Sequence, residues 1–514
     1  MYKLQRLLSV GVVLGAVAAL TAACGSSSPG SPAEAAGDAV RGGTLTVAIP
    51  DTIDGWDPDS AVQLSTYQLI REVEAPLLEV SPDGQKIQPG LAASWSYDHP
   101  RTTLTLHLQP NAAFSDGTPV TAKDVVFSVR QWMSGQQYGA LYSTFLTGAT
   151  PVGKHTVRLQ LAAPSSALLG ILTWSNSAVV PADFGGKSAK AFYAAPIGAG
   201  PFAIKSSDDH RIVLTRNPHY WQSGRPYLDS IVYDVVADNS QRLLQVRSGD
   251  VGMADRVPTD FLSTVSSPDV VTSVPSSSMS VLTFGRKGPT AAASFRKAVS
   301  LAIDRSTLVS SVYDKRASVA RGLLPPRVPG DDGCSSCAWS TYDVAAAKQQ
   351  LAEGGQPSGP IGLLVDSSRG IDLLAAQAIQ PMLQAAGIDV QIQKVDSATL
   401  LTRLAGGDFS IAVGNYSAQS PTPVDPLSFL VATQYMFTGA STTPALVALG
   451  GASGARGIAG QQAAVAAFEK QNYADATVVP LLSPYVSSVL APTTHGLALR
   501  PSALYDASAL WVSK

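Results

Sequence analysis

The chain has 514 residues, of which 45% are hydrophobic and 14% charged, and its formal net charge is −2. The charged fraction lies below the usual value of about 25%, and the basic residues are scattered along the sequence. This pattern excludes an electrostatic surface built for nucleic acid or for an anionic membrane. The chain is also too long for one hydrophobic core, so we expect two or three lobes.

The N-terminus has the pattern of an export signal. Residues 1–6 carry Lys3 and Arg6, and residues 7–20 form an uncharged, mostly apolar run that is short for a bilayer span. Small residues then precede Cys24, and residues 20–25 (LTAACG) resemble a bacterial lipobox, with Thr21 where Leu is commoner. We predict a lipoprotein signal peptide over residues 1–24 and lipidation of Cys24. The alternative is an ordinary signal peptide with an incidental cysteine.

Residues 25–40 are rich in Ser, Gly, Pro and Ala and show no apolar period, which predicts a flexible tether between the anchor and the folded part. No later stretch is apolar for as long as ~18 residues, so no transmembrane helix is expected. A lipid anchor would place the protein at the outer face of the cytoplasmic membrane, in the cell envelope.

Along the rest of the chain, strand and helix patterns alternate. The segment 103–108 (TLTLHL) alternates polar and apolar residues, as a half-buried strand does. Thr121 followed by Asp124 has the spacing of a helix-capping pair. Further strands are predicted at 41–49, 157–161, 212–215, 231–235 and 390–392, and helices at 121–133, 168–174, 294–312, 343–353 and 373–386. This alternation indicates an α/β protein.

Several stretches, in the right order, resemble the peptide and nickel class of periplasmic binding proteins, which is family 5 of the bacterial extracellular solute-binding proteins. The resemblance extends from about residue 42 to the C-terminus. Its main blocks are residues 89–95 (PGLAASW), 114–128 (FSDGTPVTAKDVVFS), 198–202 (GAGPF), 216–221 (RNPHYW), 295–305 (FRKAVSLAIDR) and 479–481 (VPL).

The resemblance implies a periplasmic-binding-protein-like fold of class II, a three-lobed Venus flytrap with discontinuous domains. Lobe I would comprise residues 41–60, 179–285 and 480–514, lobe II residues 61–178, and lobe III residues 286–479. The ligand would lie in the cleft between lobes I and III and be enclosed by a hinge motion.

The implied function is that of a monomeric, extracytoplasmic substrate-binding lipoprotein in peptide transport. It would bind di- or oligopeptides, largely through their backbones, and deliver them to the permease subunits of an ABC importer. It would need no cofactor and would not be an enzyme. The alternatives are a non-peptide solute on the same scaffold (a metal complex, a sugar or a haem-like ligand), or a secreted lipoprotein hydrolase or sensor.

Motifs for catalysis are absent from the sequence. Residues 185–188 (GGKS) imitate the end of a P-loop, but Pro181 stands where that motif needs its first glycine. No Gly-x-Ser-x-Gly elbow occurs, and the six histidines are dispersed, so no metal site is predicted.

The ligand site is expected around residues 411–426, where peptide-binding members carry a D-x-x-D-P motif whose first Asp holds the ammonium group. Asp425 and Pro426 match the end of this motif, whereas the first Asp falls on Asn415 or on Thr422. Neither is a carboxylate. The predicted ligand contacts are Asn415, Tyr416, Asp425, Trp56 and Trp174.

Asp425 leaves more than one possibility open. It could swing in to pair with a ligand ammonium, or the ligand could lack a free amine at this point. It could also simply cap the turn before Pro426 and face solvent.

Cys334 and Cys337 form a Cys-x-x-Cys pair in a proline-rich loop. In an oxidising compartment this pair predicts a structural disulfide. A redox role is the alternative, although the helix start that lowers a thiol pKa is missing. Metal binding is less favoured, because no further Cys or His lies nearby.

Overall fold

The computed structural model describes residues 39–165, 167–328, 331, 334, 336–354, 357–418, 420–423, 426–427, 430 and 457–513. Within them, Val40–Lys514 forms one compact unit. The boundaries of the three lobes stay a prediction.

The strands are β1 Thr44–Ile49, β2 Leu78–Val80, β3 Ile87–Pro89, β4 Ala92–Tyr97, β5 Thr103–Leu108, β6 Leu146–Pro151, β7 Thr156–Leu161, β8 Phe202–Ser207, β9 Arg211–Arg216, β10 Ser230–Val235, β11 Met253–Ala254, β12 Val270–Pro275, β13 Ser278–Phe284, β14 Ala317–Val319, β15 Ile361–Asp366, β16 Val390–Val395, β17 Ile411–Ser417, β18 Val478–Leu490, β19 Thr494–His495 and β20 Trp511–Val512.

The helices are α1 Leu64–Val73, α2 Ala122–Ser134, α3 Gly139–Phe145, α4 Leu168–Ile171, α5 Ala189–Tyr193, α6 Asn239–Ser248, α7 Thr259–Leu262, α8 Ala293–Ala302, α9 Arg305–Ser311, α10 Val344–Gly354, α11 Gly370–Ala385, α12 Ser397–Gly406 and α13 Gly457–Asp475. Short 3₁₀ turns lie at Ser175–Ser177, Ala182–Gly186, Gly288–Ala291 and Ala507–Ala509.

The largest sheet has the strand order β16-β15-β17-β13-β18-β11-β1-β10-β9-β8, and β12 and β14 also pair with β18. The long strand β18 connects its two halves. Residues 478–484 pair with β13 and β14, while residues 485–490 pair with β12 and β11. β15 pairs in parallel with both β16 and β17.

A separate antiparallel sheet has the order β4-β5-β7-β6. In β5, Leu104, Leu106 and Leu108 are buried, as the alternating sequence predicts. Helix α2 packs beside this sheet. Its predicted start is confirmed, because Thr121 and Asp124 form a reciprocal capping box.

Two predicted helices differ from the structure. The segment 294–312 is not one helix, because the chain leaves helical geometry at Ile303 and restarts as α9. Asp304 causes the restart, since its Oδ1 accepts the backbone N–H groups of Ser306 and Thr307. The segment 168–174 contains only the single turn of α4.

Buried apolar side chains form three main clusters. One lies around β13, β15, β17, α8 and α11, a second around the four-stranded sheet and α2, and a third around β1, β9 and β10.

Candidate ligand-binding cleft

The parallel strands β15, β16 and β17 end at one edge of the large sheet. In open α/β sheets, ligands bind outside the carboxyl ends of such strands. Helix α11 begins at this edge, four residues after Asp366 ends β15. The polar side chains at this edge are therefore candidates for ligand binding.

Asn415 lies near the end of β17 and is half-buried. Its Nδ2 donates to Oδ2 of Asp372 over 3.0 Å, and Nε of Arg369 donates to the same oxygen over 2.6 Å. Asp372 is buried on the first turn of α11, whereas Arg369 is half-exposed. The structure thus places a buried carboxylate directly against the predicted contact Asn415. Sequence reasoning missed Asp372, although its position at a strand–loop–helix junction was a usable signal.

Tyr416 points to the other face of β17, as alternation along a strand requires. It is buried in the apolar cluster that contains Met279 and Leu323, and its hydroxyl donates to the carbonyl of Leu323. This placement favours a structural role over the predicted ligand contact.

Both predicted tryptophans are buried and pack in apolar clusters, but Trp174 also lines a cavity. Trp56 packs in the cluster around β1, β9 and β10, which also favours a structural role. Trp174 is 8% exposed and lines a cavity. Trp174 is therefore the tryptophan that the geometry retains as a candidate contact.

Two small cavities lie where distant parts of the chain meet. Cavity A has a volume of about 30 Å³, and among its lining residues are Val80, Ser277, Arg327, Ala418, Ser420 and Arg500. Cavity B has a volume of about 20 Å³, and among its lining residues are Tyr67, Arg71, Trp174, Asn176, Arg500 and Ser502. Each exceeds the ~10–15 Å³ that one water-sized group needs.

The segment that follows β17 closes against α4. A Cβ on Gly170 would come within 2.3 Å of Oγ of Ser420, so only glycine permits this approach. Thr422, the other candidate position for the motif's first Asp, is 8% exposed, and its Oγ1 lies 3.2 Å from Oγ of Ser420. Asp425 lies outside the described residues.

Larger cavities of about 470 and 570 Å³ occur elsewhere. The first is bordered by Asp57, Asp59 and Tyr193, and the second by Ser306 and Asp331. Neither is lined by a predicted contact or by the carboxyl ends of the parallel strands. Volume alone therefore does not identify the site, and we place the candidate cleft at the strand edge and at cavities A and B.

The structure joins Cys334 and Cys337 as a disulfide, with their Cα atoms 5.1 Å apart. Both side chains are buried in the cluster around β13, β15 and α8. Cys24 lies outside the described residues.

Among the described residues, no helix is long and apolar enough to cross a membrane. In the same part of the chain, no group of three or more His, Cys, Asp or Glu side chains is arranged to hold a metal ion.

The fold corresponds to a known class of protein. Residues 86–437 match the model of bacterial extracellular solute-binding proteins, family 5 middle region. The chain therefore belongs to family 5 of the bacterial extracellular solute-binding proteins. Its members are binding proteins, so this chain is an extracytoplasmic substrate-binding protein and not an enzyme.

Individual relatives agree with this assignment. The chain is 29% identical over 398 residues to the probable D,D-dipeptide-binding periplasmic protein DdpA of Escherichia coli, covering 74% of this chain and 75% of DdpA. It is 25% identical over 414 residues to the periplasmic murein peptide-binding protein MppA of the same species, covering 72% and 75% of the two chains.

Solved structures agree on the fold. The ABC transporter substrate-binding protein CtaP of Listeria monocytogenes gives a TM-score of 0.84 at 20% identity, covering 92% of this chain and all of that one (100%). The periplasmic binding protein DppA of Helicobacter pylori, solved with the peptide STSA, gives 0.77 at 21% identity, covering 92% and 99%. The predicted fold class, α/β of the class II periplasmic-binding-protein type, is confirmed.

Proposed function

We propose that the chain is the lipid-anchored substrate-binding protein of an ABC importer, and that it binds di- or oligopeptides between lobes I and III and delivers them to the permease. Relatives with peptide-binding names support peptide as the ligand class. The observation that carries the proposal is the contact between Asn415 and the buried carboxylate of Asp372.

A peptide's ammonium group needs a negative partner when a cleft closes around it, since an unpaired buried charge costs several kcal/mol. Asn415 supplies no charge. Because its Nδ2 donates to Asp372, its Oδ1 is the atom able to accept from the ammonium. Asp372, which Arg369 also contacts, then supplies the negative charge on the far side of Asn415 from the ligand. Asp425 remains the second candidate for the ammonium partner.

Calorimetry with tri-alanine and N-acetyl-tri-alanine tests this assignment. On the wild type, we expect acetylation to weaken binding by about 2–5 kcal/mol, because the acetylated N-terminus carries no charge to pair with Asp372. The Asp372→Asn variant should bind both peptides alike. Asp366→Asn is the matched control, since Asp366 lies at the same strand edge but accepts from Ser368 and Ser397; it should keep the difference.

The outcomes separate the possibilities. If Asp425→Ala abolishes the difference and Asp372→Asn does not, the ammonium partner is Asp425. If the wild type binds both peptides equally, the ligand has no ammonium contact here. If neither peptide binds at millimolar concentration, the peptide assignment is wrong.

The anchor is the second part of the proposal. Two acyl chains on Cys24 would give stable membrane attachment, whereas one chain is marginal. We expect the Cys24→Ala variant to leave the membrane fraction. A Cys24→Ala protein that still fractionates wholly with membranes would contradict lipidation at this residue.

A further inference from the structure

Arg500 has an unusual position. It lies in the C-terminal segment, is 7% exposed, and lines both cavity A and cavity B. It also borders a third space, cavity C, of about 70 Å³, together with Arg71, Glu79 and Tyr220. Arg500 therefore borders three spaces at which distant segments of the chain meet.

The polar contacts of this guanidinium are few. Among the described residues, its one polar side-chain contact is an ion pair with Glu79, with NH1 3.4 Å from Oε2. An arginine carries five N–H donors and cannot lose its charge in a protein. A nearly buried guanidinium with so little compensation is costly unless something else accepts its hydrogen bonds.

Glu79 does not neutralise Arg500 alone, because it also pairs with Arg71. The guanidinium of Arg71 is further held by the carbonyl of Thr173, over 2.7 Å. One carboxylate therefore serves two guanidinium groups.

The two other acidic residues nearby, Glu72 and Asp506, form no ion pair with Arg500. Oε1 of Glu72 accepts from Nε2 of Gln68 and from the N–H of Ala507. Burial, and secondarily the charge of Asp506, raises the pKa of Glu72 well above its usual value. Asp506 is engaged by Arg225 over 3.4 Å and by the hydroxyl and N–H of Ser508. Among the described residues, Arg500 therefore has no carboxylate to itself, and it lines cavities A, B and C.

We propose that Arg500 binds a carboxylate group of the ligand, such as the C-terminal carboxylate of a peptide. A guanidinium matches a carboxylate with two parallel hydrogen bonds. Trp174 and Asn176 line cavity B beside it. This inference rests on the proposed function and extends it: the ligand is recognised by its charged carboxyl end as well as by its amine.

The test compares tri-alanine with tri-alanine amide by calorimetry. On the wild type, we expect the amide to bind at least about 30-fold more weakly, which is about 2 kcal/mol. Arg500→Gln should bind both peptides alike, at the affinity of the amide. It should fold, because Arg71 still pairs with Glu79. Arg500→Lys should restore part of the preference, since it keeps the charge and loses the planar fork.

Arg225→Gln is the matched control. Arg225 belongs to the same charge cluster through Asp506 but does not line cavities A, B or C. It should keep the wild-type preference for the acid. Equal binding of acid and amide by the wild type, or a preference that survives in Arg500→Gln, would overturn the inference while leaving the amine test of the proposed function intact.

If tri-alanine does not bind the wild type, the peptide assignment fails and a second probe tests Arg500 independently. Sodium succinate, compared with sodium chloride at equal ionic strength, should raise the melting temperature of the wild type and not that of Arg500→Gln. No rise in the wild type, or an equal rise in both proteins, would overturn the inference.

Discussion

Two nearly buried arginines, Arg305 and Arg500, differ in how many hydrogen-bond acceptors surround their guanidinium groups. Arg305 is 1% exposed at the junction of α8, α9 and β18. Its Nε donates to the carbonyl of Pro480, its NH1 to the carbonyls of Ser300 and Ile303, and its NH2 to the hydroxyl of Ser300. Within the described part of the chain, the side chain of Arg500 has one long polar contact, to a carboxylate that it shares with Arg71.

The difference distinguishes structural from functional burial. Arg305 donates hydrogen bonds to buried backbone carbonyls. A structural role is therefore enough to explain why Arg305 is buried. Burial also lowers the pKa of Arg305 to about 10, which still leaves it charged at neutral pH. Arg500 completes nothing comparable among the described residues and faces cavities. We therefore assign Arg305 to stability and Arg500 to recognition.

The largest expected effect is the loss of stability on replacing Arg305. Arg305→Met should lower the free energy of unfolding by about 3–5 kcal/mol, because several buried acceptors lose their donor. Arg500→Gln should lower it by no more than about 1 kcal/mol. Urea unfolding measures both. The comparison fails if Arg500→Gln is the more destabilising of the two.

Glu74 extends the comparison to a buried acid. A buried carboxylate can become neutral by taking up a proton, whereas a buried guanidinium keeps its charge. Glu74 is fully buried, and neither carboxylate oxygen has a hydrogen-bond partner within the described residues. Burial, and secondarily Asp57, raises the pKa of Glu74 well above its usual value. Its protonated form is thus the one that folding favours.

A raised pKa in the folded state means that stability is retained at low pH and lost as the pH rises from the unfolded towards the folded pKa. Glu74→Gln should therefore unfold like the wild type near pH 4 and be more stable than the wild type near pH 7. Urea unfolding at several pH values measures this. A Gln variant that is less stable at every pH would mean that the carboxylate has a partner after all.

A smaller effect than that of Arg305→Met is expected for the pair Cys334 and Cys337, which lines none of cavities A, B and C. Because the loop between them is short, the disulfide should add less than about 2 kcal/mol. Replacing both cysteines with Ala should lower stability by that amount and leave ligand affinity unchanged. Thiol titration of the unfolded, unreduced protein should find no free thiol at these positions, and finding two would exclude the disulfide.

Local patterns predicted much of the fold. The alternation in β5 and the capping pair Thr121–Asp124 depend on neighbours within a few residues, and both were predicted correctly. The predicted helix over 294–312 was wrong because Asp304 offers its carboxylate to the backbone and starts a new helix. Periodicity alone did not reveal that break.

The site was less predictable, because its contacts join residues far apart in sequence. Asn415 was predicted through the family motif, but its partner Asp372 lies 43 residues away. Arg500 and Glu79 come from opposite ends of the folded chain. Composition and motif spacing carry no signal for such pairs, and Trp56 and Tyr416 look like ligand contacts until packing shows them in the core.

The central claim is that this protein binds a ligand with both an amine and a carboxylate. Native mass spectrometry of the purified wild type, followed by fragmentation of whatever co-purifies, tests it most directly. The account predicts small peptides with free amino and carboxyl ends, which should be lost from the Arg500→Gln variant. A bound sugar, or any ligand that lacks both groups, would contradict it.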